Sequence, residues 1–338
     1  MSFHNTFGFL PLLPEMDRRA DTITKMNEMG RSGQSFVFLI DFDGKEVHIF
    51  EPEDADNIWW KANEETNAPE QKQPTSKVEW KINPVDFERY KQGFELIQKH
   101  IHNGDSYLLN YTLPTPVDTN LSLEDIFHLS SARYKILFKD RFVCFSPEIF
   151  VQINNGKIAS FPMKGTMDAS IPNAKELILN NSKELAEHNT IVDLIRNDLS
   201  LVAENVCVEK FRYLEELKTN RRNLYQVSSK ITGQLPKDYT NTIGDLIFTM
   251  LPAGSVSGAP KKKTVEIIKA TEQYERGFYT GIFGYFDGKN LDSCVLIRYV
   301  ENQNGKMVYK SGGGITFMSD AKEEYEELVK KVYIPVFK

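Results

Sequence analysis

What the chain has little of narrows its class first. No apolar run approaches the roughly 20 residues that a helical membrane span requires. The opening stretch, MSFHNTFGFLPLLPEMDRR, has no charged segment leading into a long apolar core. No membrane association is expected. Cysteine is scarce: Cys144, Cys207 and Cys294 lie far apart and without metal-site spacing. A sparse, odd set suits a reducing cytoplasm, where each acts as a small hydrophobe. Positive charge is in deficit, with 41 Lys and Arg against 47 Asp and Glu, a net charge of −6. Nucleic acid needs a basic footprint that this balance does not supply. Six scattered histidines suggest no Ser-His-Asp or Cys-His order. GSVSGAPKKKT (254–264) lacks the spacing of a phosphate loop. It reads as a loop feeding a helix, with Ser255 or Ser257 able to bond an anion and the lysines of 261–263 as a solvated first turn.

What is present is ordinary globular material: 338 residues, 41% hydrophobic and 26% charged. That length builds one large domain or two smaller ones. SFVFLIDFD (35–43) and EVHIF (46–50) flank Gly44-Lys45 and read as a hairpin. Residues 61–78, polar and carrying two prolines, read as a surface loop. Phe87, Tyr90, Phe94, Ile97 and Ile101 follow helical spacing and predict a helix near 85–102. Strands follow in SYLLNYTLP, YKILF, RFVCFS, IFVQI and KIASFPM. A helix is predicted over 175–203, with Val192, Ile195, Leu199 and Val202 inward, then a strand at 225–232 and a helix at 240–250. The tail reads as a helix (TVEIIKAT), two strands (YTGIFGYF and CVLIRYV), a strand and turn (KMVYKSGGG) and a last helix from Ser319. This mixture has no strict βαβ order, so the expected class is α+β with large antiparallel sheets. Residues 1–78 are expected to add a hairpin region to the sheets of 79–338, giving one integrated domain.

Several residues stand out chemically. Glu184 and Glu187 share a helix face, as do Glu324 and Glu327. Four carboxylates from two helices suit one hard cation such as magnesium, although each pair alone reads as a solvated face. Arg298, inside the apolar run CVLIR, needs an anion: a bound carboxylate, or an internal Asp or Glu. The glycines of KSGGGI (310–315) suit close backbone approach to an anion, or a plain turn.

Taken in order, the blocks SPE (146–148), PMKGT (162–166), EH…VDLIRNDL (187–199), GSVSGAPK (254–261), YTGIFGY (279–285), LDSCVLIR (291–298), SGGGI (311–315) and EEYEELVKK (323–331) resemble the chorismate-utilising enzymes. That resemblance implies an anthranilate synthase component I-like fold, two antiparallel sheets in a sandwich with flanking helices and a deep central cleft. It implies magnesium held by Glu187 and Glu327, supported by Glu184 and Glu324. Arg298 and Tyr279 would grip the enolpyruvyl carboxylate, and Ser255, Gly312, Gly314, Lys331 and Thr166 would line the remaining substrate site. Glu148 matches the general acid for the leaving 4-hydroxyl, which requires a raised pKa.

Lys164 is the distinguishing residue. Anthranilate synthases have alanine there, whereas a lysine resembles the aminodeoxychorismate synthase component I subfamily. In that subfamily the lysine is implied to attack ring C2 before ammonia adds at C4, and burial is expected to lower its pKa. The implied product, 4-amino-4-deoxychorismate, leads toward 4-aminobenzoate and folate. The chain has no amidotransferase-like Cys-His-Glu block, so ammonia is expected from a separate glutamine amidotransferase subunit. Leu108 stands where isochorismate and salicylate synthases carry a water-activating lysine, which argues against those activities. Gln226 replaces the family's usual histidine, and no tryptophan site is legible. The alternatives are anthranilate synthase component I and a non-catalytic chorismate-binding subunit.

Overall fold

A computed structural model describes residues 18–70, 78–217 and 223–335. Two nine-stranded antiparallel sheets dominate it. The first contains the hairpin of Phe36–Ile40 and Val47–Phe50, then Ile282–Phe286, Leu291–Val295, Ile149–Asn154, Lys157–Ser160 and the long Leu224–Gln234. The second is built around Leu108–Thr119 and Lys306–Ile315, extended by Tyr299–Gln303, Phe142–Ser146, Tyr134–Phe138 and Ile58–Ala62.

Side-chain alternation explains how the sheets stack. On FVFLI (36–40), Val37 and Leu39 pack with Ile58, Trp60, Tyr134 and Ile136 of the other sheet. Phe36, Phe38 and Ile40 point the opposite way, into a core with Ile191, Ile195, Ile243 and Ile247 from helices. Both faces are apolar because both are covered. A further core joins Tyr90, Phe94 and Ile97 to Ile267 and Leu328, so the helices Phe87–His102, Lys261–Glu272 and Ala321–Lys330 cover the second sheet. The order is therefore helices, sheet, sheet, helices, as the α+β sandwich reading expects. Residues 36–66 supply strands to both sheets. Among the described residues, no helix is long and apolar enough to cross a membrane.

Four local expectations change, and two elements appear that were not expected. The helix expected over 175–203 is two, Ala174–Asn180 and Ser182–Ser200, because Asn181 caps the second by accepting from the Glu184 N–H at 3.0 Å. CVLIRYV is two strands in different sheets, Leu291–Val295 and Tyr299–Gln303, with Arg298 at the crossover in a left-handed conformation (φ 58°). The glycines of KSGGGI form no turn: the strand runs to Ile315, and Gly312, Gly313 and Gly314 pair with Thr112, Tyr111 and Asn110. A strand at Glu204–Leu217 and a helix at Arg18–Ser32 were not expected from the pattern. Dense charge masks both. Part of the loop expected over 61–78 forms short strands ending at Ala62 and Thr66, and 71–77 lie outside the described residues.

Candidate active site

The crossover between the sheets creates the site. The Arg298 carbonyl accepts the Phe145 N–H at 3.1 Å, and the Glu148 carbonyl accepts the Val295 N–H at 3.1 Å. Both side chains then face one cavity of about 150 Å³, which Lys164, Ser255, Tyr279 and Gly314 also line.

Lys164 reaches it through a β-bulge. Met163 pairs with Ser228 but Thr166 pairs with Gln226, so the strand Met163–Asp168 holds one residue more than its partner. Gly165 takes the left-handed backbone (φ 81°) that the bulge requires. The Gly-Thr pair is thus a bulge rather than a turn. The Lys164 Nζ lies 3.3 Å from Glu187 Oε2, and a Cβ on Gly314 would sit 3.1 Å from it. The expectation of a lowered amine pKa is reversed. Burial does work to lower it, but Glu187, Glu327 and Glu184 outweigh burial and the net direction is up.

The two glutamate pairs converge on this lysine. Glu187 and Glu324 are buried, on facing helices. Lys183 reaches Glu324 at 3.5 Å, and Lys331 binds Glu327 at 2.6 Å and the Gly312 carbonyl at 2.8 Å. A Cβ on Gly313 would meet Glu324, Glu327 and Lys331 at 3.4 to 3.9 Å, and one on Gly165 would meet Glu184 at 3.2 Å. These glycines make room for carboxylates and amines. Burial, reinforced by neighbouring carboxylates, pushes Glu184 and Glu324 up. Burial also pushes Glu327 up, but Lys331 and the other lysines outweigh it and hold that carboxyl down. Lysine amines take up these oxygens, and among the described residues no three His, Cys, Asp or Glu side chains are grouped to hold a metal ion. The donor set itself, four carboxylates from two helices, is of the hard oxygen class that magnesium takes.

Glu148 has its pKa raised by burial, in the direction a proton donor needs, and its carboxylate accepts from the Ser255 hydroxyl. Burial also pushes the Tyr279 phenol up, so it remains a neutral O–H donor. Arg298 has no carboxylate partner among the described residues; its guanidinium lies 5.9 Å from the Tyr333 ring centroid. The buried ion pair of this region is instead Arg276 with Glu272, at 2.6 Å.

Thr166 is not brought to the cavity. It is exposed, and opposes Gln226 across the strand pair. Leu108 does reach the Lys164 environment, 3.2 Å from a Cβ on Gly314. Lys261 is no solvated first-turn residue: it binds Asp198 at 2.6 Å and the Met250 carbonyl at 3.0 Å. The sequence reading missed Asp198 and Asn110, which also line the cavity. The only signal for Asn110 was a polar residue inside the apolar run YLLNYTLP, and Asp198 sits among other polar residues in VDLIRNDL.

Comparison with known proteins agrees with this geometry. Residues 37–336 match the family described as chorismate binding enzyme. A protein of Haemophilus influenzae named an uncharacterized PabA-like protein is 47% identical over 316 residues, 93% of this chain and 96% of its own length. Aminodeoxychorismate synthase component 1 of Klebsiella aerogenes is 29% identical, covering 93% of this chain and 71% of its own. The crystal structure of a Bacillus anthracis protein described as a 2,3-dihydroxybenzoate-specific isochorismate synthase superposes with a TM-score of 0.69 at 19% identity, over 93% of this chain and 86% of the other. With the family match spanning most of its length and a cavity built from the family's own motifs, the chain belongs to the chorismate binding enzymes.

Proposed function

We propose that the protein is an aminodeoxychorismate synthase component I, converting chorismate and ammonia to 4-amino-4-deoxychorismate and water. The observation that carries this reading is the Lys164 amine lining one cavity with Glu148 and Arg298. Arg298 and the Tyr279 hydroxyl orient a substrate carboxylate. Lys164, as the neutral amine, forms a bond to ring C2; the diene shifts, the C4–O bond breaks, and Glu148 delivers the proton that makes the hydroxyl leave as water. The adduct amine loses its extra proton, and Glu187, 3.3 Å from the lysine, is the nearby acceptor. Ammonia then bonds to C4 and the lysine departs from C2.

Glu184, Glu187, Glu324 and Glu327 are the residues that would hold magnesium. Bound there, it would supply positive charge for the ring carboxylate and relieve the repulsion among these acids. A separate glutamine amidotransferase subunit is the proposed ammonia source.

Leu108 supports amination over hydration, since an alkyl side chain cannot activate water. Lys164 argues against anthranilate formation, because amine and ammonia would compete for the same carbon. The test is to incubate the pure protein with chorismate, magnesium and ammonium and identify the product by mass. Aminodeoxychorismate is expected; anthranilate, isochorismate or no turnover would overturn the reading.

A further inference from the structure

Tyr279 lines the cavity, and the residue after it holds a backbone conformation unusual for its type. Thr280 has φ 63°, in the left-handed region, which a β-branched residue keeps only where its surroundings impose it. It is buried and stands behind the cavity wall rather than on it. Its N–H donates to the Leu296 carbonyl at 2.8 Å. Its hydroxyl donates to the Tyr279 carbonyl at 2.6 Å and accepts from Arg276 Nη1 at 3.2 Å. Glycine would take this backbone freely. What glycine would lack is the hydroxyl that joins Tyr279 to Arg276.

Arg276 is a fixed anchor for that hydroxyl. All five of its N–H groups bond to protein acceptors. Nε and Nη2 fork onto Glu272 at 2.9 and 2.6 Å. Nη2 also reaches the Asn110 carbonyl at 2.7 Å, and Nη1 reaches the Val256 carbonyl at 2.8 Å besides Thr280. Asn110 and Val256 line the cavity, and Ser255, just before Val256, bonds Glu148. Glu272 in turn accepts the Thr112 N–H at 2.8 Å. The Arg276–Glu272 pair therefore caps one edge of the strand Leu108–Thr119 at Asn110 and Thr112, while Gly314 and Gly312 stand on its other edge. One buried guanidinium thus fixes separate segments of chain against each other, and each of them places a residue on the cavity.

We propose that Arg276 and Thr280 are positioning residues for the substrate carboxylate, a clasp that holds the Tyr279 hydroxyl where the carboxylate meets Arg298. Neither touches the substrate; both act through Tyr279. A hydroxyl held in place before the ligand arrives loses no freedom on binding, so the clasp acts on affinity. A strained threonine is kept at position 280 because its hydroxyl ties the turn that bears Tyr279 to the guanidinium frame. This inference rests on the proposed role of Tyr279 as a carboxylate donor and deepens it by naming what aims that donor.

The experiment measures chorismate binding to the full chain by calorimetry with magnesium present, and kcat by chorismate consumption. Thr280→Gly removes the hydroxyl and accepts the left-handed backbone, so the variant should fold, with a Tm within a few degrees of wild type. Its Kd for chorismate should rise about tenfold while kcat stays within threefold. Thr280→Ser, which keeps the hydroxyl, should return the Kd to within twofold of wild type. Adding Thr280→Gly to Tyr279→Phe should weaken binding less than twofold further, because the group being aimed is already gone. Arg276→Lys keeps a charge beside Glu272 but cannot fork, and should raise the Kd as Thr280→Gly does. An unchanged Kd in Thr280→Gly, or full additivity with Tyr279→Phe, would overturn the inference. A Tm lowered alike in both Thr280 variants with the Kd unmoved would assign the clasp to folding alone. Wild-type protein that does not bind chorismate removes the functional reading and this inference together. Wild-type protein that consumes chorismate without aminating it removes the amination reading and leaves this inference to the Kd values.

Discussion

The Lys164 amine lies 3.3 Å from a Glu187 carboxylate oxygen, its one ion-pair partner among the described residues. That pairing keeps the amine protonated, and a nucleophile must shed its proton. Cation binding to the surrounding carboxylates should withdraw the influence that raises the amine's pKa. The pH midpoint for modification of Lys164 by an amine-directed reagent, followed by peptide mass analysis, should therefore fall when magnesium is added. A midpoint indifferent to magnesium would separate the lysine from the proposed metal site.

Replacing the amine separates chemistry from binding. Lys164→Ala should abolish the covalent adduct while chorismate affinity changes little, because Arg298 and Tyr279 remain. Retention of full aminodeoxychorismate output would show that Lys164 is not the nucleophile.

Arg298 should behave unlike a residue of a structural ion pair. Removing one partner of a buried pair costs about 3–5 kcal/mol, but this guanidinium has no acid partner among the described residues to strand. Arg298→Met should leave the melting temperature within a few degrees of wild type and weaken chorismate binding by roughly one to two orders of magnitude, the scale of about 1.5–3 kcal/mol for a charged hydrogen bond. A large loss of stability with intact binding would reverse the assignment.

The acids of the site also set how stability varies with pH. Burial raises Glu148, Glu184, Asp198 and Glu324 above their ordinary values. Between the unfolded carboxylate pKa and these raised ones, the folded chain binds more protons than the unfolded chain, so stability falls as pH rises. Glu327, held down, works in the other sense and loses its contribution only as pH falls below the ordinary carboxylate range. Magnesium, which would neutralise these acids, should accordingly reduce the fall of Tm with rising pH just above the ordinary carboxylate range, while His188, whose imidazole burial holds down at about 4, works in the other sense up to its ordinary value. Scanning fluorimetry across that range, with and without magnesium, checks it, and a profile indifferent to magnesium would contradict the clustering of the acids.

Asp198 holds the turn that carries Ser255. Its carboxylate takes Lys261 at 2.6 Å, and a Cβ on Gly254 would stand 2.9 Å from it. Asp198→Asn should cost about 1–2 kcal/mol, less than a fully buried pair because both groups keep some solvent contact. It should also move the acid-dependent limb of the pH–rate profile through the Ser255 contact with Glu148. A change in stability with an unmoved pH profile would limit Asp198 to a structural role.

Much of this was legible from sequence because the apolar periods are strong and the chemical blocks are short and ordered. The hairpin of 35–50 and the helix near 85–102 follow directly from alternation and from the Tyr90, Phe94, Ile97 stripe. Glu204–Leu217 was hidden because a strand with one solvated face can carry charge at most positions. Arg298 was placed within a single strand, CVLIRYV, because nothing in LIRYV announces a change of sheet. The direction of the Lys164 shift was missed because burial is inferable from a pattern, whereas the summed field of acids from two distant helices is a tertiary quantity. Thr166 was carried along with its motif, although the bulge that turns Lys164 inward leaves Thr166 on the solvent side.

That bulge has a wider consequence. Strand side chains alternate strictly, so a one-residue change of register moves a group to the other side of the sheet. The extra residue between Met163 and Thr166 therefore decides where the amine stands, independently of which amino acid occupies the position. Deleting a residue from this segment should disarm the protein while leaving every functional side chain in the chain. Transplanting the lysine into a relative's unbulged strand should fail to confer its chemistry. Reactivity here is written partly in the count of residues, and an insertion or deletion can rewrite it as surely as a substitution.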